Sequence, residues 1–214
     1  MPPRVRWALR ASVALVGVYV LLDVAAQLLP PHYSAIAQAE SDLAVGPFGY
    51  VMTVNFVVRG ILSLAFLYGL VGATTLGRRA PVGVALVGVW ALGAFVLAAS
   101  PTDVGPSATL HGMVHLATAA IAFLTASVGA VLLSFRSRDE PRLAAVRVPL
   151  LAVAGSTVVA LLGLLYVEQR ARLAAEAFGL IERVFLGLVL LWILLVALYL
   201  LRSGRPVAPG ELGS

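Results

Sequence analysis

The sequence predicts an all-α membrane protein with six transmembrane helices in one bundle and both termini in the cytoplasm. The chain is 61% hydrophobic and only 12% charged, whereas soluble domains average about 25% charged residues. Apolar runs of about 20 residues recur along the chain, which is the length that a helix needs to cross the hydrocarbon. Arginine residues concentrate in alternate loops, as the positive-inside rule expects.

Each of six apolar runs predicts one span. Barrel strands are shorter and alternate in hydropathy, so runs this long and uniform indicate helices. The predicted spans cover 8–29, 48–75, 81–99, 107–134, 147–167 and 178–201. They form one transmembrane domain over 1–202, and composition predicts a disordered C-terminal tail over 203–214.

The first two spans are joined by an unusually long segment. The first run follows a basic segment, as in a secretory signal, but its length and Asp23 favour an uncleaved span. Residues 34–44 have a helix-compatible composition and are expected to form a short interfacial helix over the mouth of the bundle. Connections of this length are uncommon between bundle helices and are often functional.

Loop charges set the orientation. The loops on one side hold five acidic residues and only Arg170 and Arg172. Arginine outside the cytoplasm is disfavoured, so those loops are expected to lie outside. The other eleven loop arginines fall on the opposite side: Arg4, Arg6, Arg10, Arg78, Arg79, Arg136, Arg138, Arg142, Arg147, Arg202 and Arg205.

Composition also bounds the partners. The net charge of +5 does not indicate nucleic acid, because the arginines sit in short loops between spans. The chain has no cysteine, which excludes disulfides and thiolate chemistry. It has no lysine and is rich in Ala, Val, Gly and Leu, which is typical of a high-GC bacterial genome and favours a bacterial cytoplasmic membrane. A membrane lipid is the expected partner, and a homo-oligomer stays open.

Two histidines and an aspartate predict a metal site. His111 and His115 are four residues apart on one helix face, a spacing that suits two imidazoles on a divalent metal such as zinc. Asp103 lies in a turn-rich loop and could complete the ligand set. The alternative is structural: one histidine bonds the loop, the other lines a water-filled cleft, and Asp103 caps a helix.

The remaining polar residues predict catalytic and substrate-binding roles. Ser41 and Asp42 could meet the histidines, so we assign Ser41, Asp42 and Asp103 as candidate catalytic residues. Arg59 lies near mid-membrane, where an arginine needs a partner, and Asp23 is the expected one. Candidate substrate-binding residues are Asn55, Arg59, Glu182 and Arg183, with a structural salt-bridge network as the alternative.

At these residues the chain resembles an uncharacterised family of bacterial and archaeal membrane proteins, domain of unknown function 998. The resemblance implies about six spans and brings no established activity. It rests on the segment from Tyr33 to Gly46 with Ser41-Asp42-Leu43, on Asn55 with Gly60, on Pro101-Thr102-Asp103, on His111-Gly112 to His115, and on Glu182-Arg183.

Four functions remain open at this point. The leading one is a metal-dependent hydrolase of a membrane lipid or amphiphile, with metal-bound water as the nucleophile. The first alternative is a non-catalytic binding or transport module for a small amphiphile or lipid headgroup. Haem ligation would need a further histidine such as His32, and a purely stabilising network is the fourth. The sequence leaves open whether the protein is an enzyme.

Overall fold

The computed structural model describes residues 1–30, 33–105 and 108–203, and within them it contains only helices, turns and loops. Six of the helices in the described residues are long and apolar enough to cross a membrane, which confirms the predicted all-α class and the predicted number of spans. A short helix, α3, follows the second span. The helices are α1 Pro3–Leu28, α2 Gly49–Ala73, α3 Leu76–Arg79, α4 Pro81–Ala99, α5 Leu110–Arg136, α6 Arg147–Glu168 and α7 Ala171–Ser203.

Three details differ from the expected boundaries. The helix α1 begins at Pro3 rather than near residue 8, because proline is well suited to the first helical turn. The helix α7 begins at Ala171, since the segment before residue 178 is rich in helix-forming residues. Residues 34–44 form only a turn and the 3-10 helix Glu40–Ala44. The predicted tail beyond Ser203 lies outside the described residues. His32 also lies outside them.

The six long helices form a ring in the order α1, α2, α4, α5, α6, α7 and back to α1, and α2 also contacts α7 across it. Glycine allows close approach between α4 and α5. A methyl group at Gly129 would lie 3.2 Å from the carbonyl oxygen of Gly83. Six crossings return the chain to its starting side. We call the face with the termini the inner face and the opposite one the outer face, following the arginine distribution.

Two buried tryptophans pack in the core of the bundle. Trp192 donates its indole N–H to Ser134 Oγ at 2.8 Å and stands edge-on to Phe66, with ring centroids 5.4 Å apart. Trp90 donates to Ser63 Oγ at 3.2 Å. Buried indole nitrogens normally find such acceptors, so these tryptophans fill the core without an unsatisfied donor.

The inner loops are fixed by a buried carboxylate. Glu140 Oε2 accepts hydrogen bonds from the backbone N–H of Thr75 at 2.7 Å and from Thr75 Oγ1 at 2.9 Å. Arg142 donates to the carbonyl of Ala73 at 2.8 Å. These bonds tie the loop between α5 and α6 to the end of α2.

Candidate functional site

The outer segment 33–45 lies across the end of the bundle as a lid, and Arg183 of α7 holds it. Arg183 Nη1 donates to the carbonyl oxygens of Ala35 at 3.0 Å and Gln38 at 3.2 Å. Its Nη2 donates to the hydroxyl of Tyr33, which in turn donates to the carbonyl of Ala39 at 2.8 Å. Arg183 is therefore occupied by backbone and tyrosine partners of the lid.

Two further contacts join the lid to α7. The backbone N–H of Leu180 donates to the carbonyl of Ile36 at 2.9 Å. Gly179 is required at the crossing, since a Cβ there would overlap the carbonyl oxygens of Gln38 and Ala35. Sequence analysis gave these residues no role, because their contacts join segments about 140 residues apart.

A buried carboxylate, Glu40, connects the lid to the transmembrane helices. Its side chain is only 3% exposed and accepts a hydrogen bond from Tyr19 Oη at 2.6 Å. Its backbone N–H donates to Glu182 Oε2 at 2.6 Å. Burial, reinforced by the nearby charges of Asp23 and Glu182, raises the pKa of Glu40 to about 8. At neutral pH this carboxyl group is therefore mostly protonated.

Arg59 of α2 is 2% exposed, and its Nε and Nη2 have no hydrogen-bond partner among the described residues. Its guanidinium carbon lies 4.6 Å from the ring centroid of Trp90 and 5.1 Å from that of Phe56. The expected pairing with Asp23 is wrong, because no ion pair joins them within 4.0 Å in the described part of the chain. Asp23 instead accepts from Gln27 Nε2 at 2.6 Å.

A cavity of about 500 Å³ lies beneath the lid. Its polar end contains Glu40, Ser41, Asp42, Arg59, His115 and Glu182. Thr102 and Glu168 also line it, and the rest of the wall is apolar and comes from α2, α4, α5, α6 and α7. Leu116, Leu124 and Leu165 line it and are 62%, 55% and 47% exposed, so the cavity opens sideways between the outer halves of α5 and α6.

The structure brings five of the predicted site residues together in this cavity: Ser41, Asp42, Arg59, His115 and Glu182. Burial raises the pKa of Asp42 above its ordinary value. Asn55 is fully buried on α2, but it does not line the cavity and its Oδ1 has no partner among the described residues. Arg183 faces the lid backbone, away from the cavity lining.

The predicted metal ligands do not converge. Asp103 accepts hydrogen bonds from Thr109 N–H at 2.8 Å and Thr109 Oγ1 at 2.7 Å, which lower its pKa. His111 is exposed at the start of α5. His115 points inward, with Nδ1 2.7 Å from the carbonyl oxygen of Ser100. Within residues 1–30, 33–105 and 108–203 no three metal-ligating side chains form a cluster.

The arrangement of His115 fixes its proton. A carbonyl oxygen only accepts hydrogen bonds, so Nδ1 carries the hydrogen and the Nε2 of the neutral ring keeps a free lone pair. The ring of Phe56 stands edge-on to it at 6.1 Å. His115 can therefore offer one acceptor, or one ligand, without His111 or Asp103.

Sequence analysis missed Tyr19 and Glu40, which form a buried hydrogen-bonded group with Glu182. Tyr19 lies one helical turn before Asp23 on α1, and this shared face was the available signal. Glu40 looked like one more charge in a hydrophilic loop. Only the folding of the lid onto the transmembrane helices, with Tyr19 of α1 and Glu182 of α7 as partners, removes Glu40 from water.

One comparison with known proteins gives a match. The family model described as "Protein of unknown function (DUF998)" matches residues 13–199. No curated protein and no solved structure matches the chain. The matched region includes the lid, the residues that line the cavity, four of the long helices in full, and most of α1 and α7.

Proposed function

Since the chain belongs to the DUF998 family, whose description assigns no activity, we propose its function from the cavity: it binds a membrane amphiphile with an anionic headgroup. The observation that carries this proposal is Arg59, a buried cation at the end of a largely apolar cavity, with two nitrogens that have no partner among the described residues. An unpaired arginine inside a membrane protein is costly and usually has a functional partner.

The guanidinium of Arg59 favours a carboxylate or a phosphate. Arg59 lines the cavity, and a guanidinium can donate to two oxygens of one anion. Two of the four carboxyl groups that line the cavity are already engaged: Glu40 by Tyr19 and Glu182 by the Glu40 amide. Protonation of Glu40 at neutral pH also removes a negative charge that would repel the ligand.

The apolar part of the cavity favours a hydrocarbon tail. Leucines of α5 and α6 line it and are exposed at the opening, so a chain can enter sideways from the lipid. A volume of about 500 Å³ lies within the ordinary range for small-molecule sites. We place the opening in the outer leaflet of a bacterial or archaeal cytoplasmic membrane, on the basis of the loop arginines.

Catalysis is the second candidate, because Ser41 and Asp42 line the same cavity as Arg59. The metal-dependent form predicted from sequence would need ligands beyond His115, since Asp103 and His111 lie elsewhere. Non-catalytic binding requires only the groups already gathered, and it is therefore the function that the geometry supports best.

The test compares dodecyl phosphate with dodecanol, which has the same chain and no charge, on protein in phosphatidylcholine nanodiscs. Trp90 lies against Arg59 and reports binding through its fluorescence. We expect the phosphate to bind far more tightly than the alcohol. Arg59→Met should weaken phosphate binding at least thirtyfold, because truncating one partner of a buried charge pair costs about 2–5 kcal/mol.

Arg78→Met is the matched control, since Arg78 is exposed on the inner face, and it should leave binding unchanged. Equal binding of phosphate and alcohol, or an unaffected Arg59→Met variant, would overturn the proposal. Mass spectrometry of the incubated ligand decides between binding and cleavage. Metal analysis of protein prepared without chelators tests the metal prediction separately.

A further inference from the structure

A second groove lies at the inner face, at the opposite end of the bundle from Arg59. Its volume is about 200 Å³, and it runs between the start of α1 and the end of α7. Two leucines of α7, Leu198 and Leu201, supply its apolar wall. Three arginines supply the rest of its lining: Arg6, Arg10 and Arg202.

These three arginines have no carboxylate partner among the described residues. The ion pairs found among the described residues involve other arginines: Arg136, Arg138 and Arg172. The acids of the inner loops are occupied, Asp139 by arginine and Glu140 by Thr75. Three positive charges around one small groove repel one another, and a bound anion would relieve that repulsion.

The surroundings favour a lipid over a soluble anion. The groove is walled by leucine, and Trp7 beside it is 66% exposed. Arg10 stacks on the Trp7 indole, with its guanidinium carbon 5.3 Å from the ring centroid. Exposed tryptophans at helix ends are typical of the membrane interface. The groove therefore offers cations at headgroup depth and an apolar surface toward the hydrocarbon.

We propose that this groove binds an anionic phospholipid of the inner leaflet. The phosphate lies among Arg6, Arg10 and Arg202, and an acyl chain follows Leu198 toward the bilayer centre. Basic pockets between helices on the cytoplasmic side are suited to such headgroups. Because α1 and α7 are the first and last members of the ring, the lipid would also hold its closing seam together.

The experiment measures lipid binding by native mass spectrometry and thermal stability in nanodiscs, with phosphatidylglycerol or phosphatidylcholine as the probe. Phosphatidylglycerol should bind preferentially and raise the Tm. The variant R6Q/R10Q/R202Q should weaken its binding roughly a hundredfold, because each cation contributes about 1 kcal/mol near an anionic surface. The control R78Q/R136Q/R138Q removes the same charge from the same face and should change binding by no more than a few-fold.

Loss of these arginines could also alter insertion, so the variant R6K/R10K/R202K keeps every positive charge. Lysine lacks the guanidinium fork, and we expect about tenfold weaker phosphatidylglycerol binding in a correctly oriented protein. If the groove variant and the control variant lost phosphatidylglycerol binding equally, binding would depend only on general surface charge. That result would overturn the proposal. Full competition by inorganic phosphate would assign the groove to a soluble anion, and equal binding of both lipids would also refute it.

Discussion

Glu140 and Arg59 are both buried, at 4% and 2% exposure, but their hydrogen bonding differs. Glu140 at the inner end accepts both donors of Thr75. Arg59 in the outer half leaves Nε and Nη2 without a partner in the described residues. A buried polar group is tolerated when its hydrogen bonds are made inside the protein. The difference separates a charge that holds loops together from one whose hydrogen bonds the described residues do not make, as expected for the ligand site proposed here.

The regions around these residues differ in the same way. At the inner end, loop carbonyls and side chains meet α2 directly, as at Ala73 and Thr75. At the outer end, the lid is bonded to α7 through Arg183 and Glu182, and it also packs on α1 and α2. A cavity lies beneath it toward α5 and α6.

The largest expected effect is on stability, and it should differ in sign between the two ends. Glu140→Ala leaves both Thr75 donors unsatisfied and should lower the free energy of unfolding by about 2–4 kcal/mol. Arg59→Met should leave it unchanged or raise it, because methionine removes an uncompensated buried charge. Denaturation with sodium dodecyl sulfate in mixed micelles measures both. A strongly destabilised Arg59→Met protein would break the comparison and make Arg59 a structural residue.

The next effect is a pH dependence that originates in Glu40. Its pKa rises from 4.5 to about 8 on folding, so between these values the folded state binds the proton that the unfolded state has lost. Stability should therefore fall as pH rises through this window, by up to about 1.4 kcal/mol per unit. Glu40→Gln keeps an acceptor for Tyr19 and should remove this part of the slope. Parallel Tm-against-pH curves for both proteins would contradict the burial of Glu40.

A pair of glycines on α7 tests the seating of the lid. Gly179→Ala places a methyl group against the lid carbonyls and should destabilise the protein by about 1–3 kcal/mol. Gly187→Ala, where nothing lies within 4 Å of the added carbon, is the matched control and should be neutral or slightly stabilising. Thermal melts in nanodiscs report both changes. Equal responses at the two positions would mean that the lid does not rest on Gly179.

The smallest effect should separate the two histidines. His115→Ala removes the bond to Ser100 and should destabilise the protein by about 1 kcal/mol. His111→Ala, at an exposed position, should stay within about 0.5 kcal/mol of the parent. If each substitution instead released a bound metal, both imidazoles would bind that metal, and the described geometry, which does not bring them together, would be contradicted.

The outcome for Arg59 shows how far sequence reasoning reaches. Its depth in an apolar run predicted a functional charge, since hydrocarbon makes such residues rare. The partner predicted for it, Asp23, was wrong, because helix rise gives depth but not the rotation of one helix against another. Trp90 and Phe56 take up the space around the guanidinium instead.

The His111 and His115 pair shows the same limit on a single helix. Their spacing correctly places them one turn apart, yet one side chain is exposed and the other is buried. Which part of α5 faces the bundle is set by packing against α4 and α6. Helical periodicity predicts where two residues lie relative to each other on a helix. It does not predict which side of the helix faces the core.

The sequence alone determined the number of spans, their type and the charges that lie within them, because hydropathy and backbone hydrogen bonding in lipid leave few alternatives. The tertiary structure alone decided which charges meet. The lid folds back onto α7 through contacts between residues far apart in the chain, and this places Glu40 beside Tyr19 and Glu182. Local periodicity cannot encode such contacts, since they depend on how the helices rotate and pack around one another.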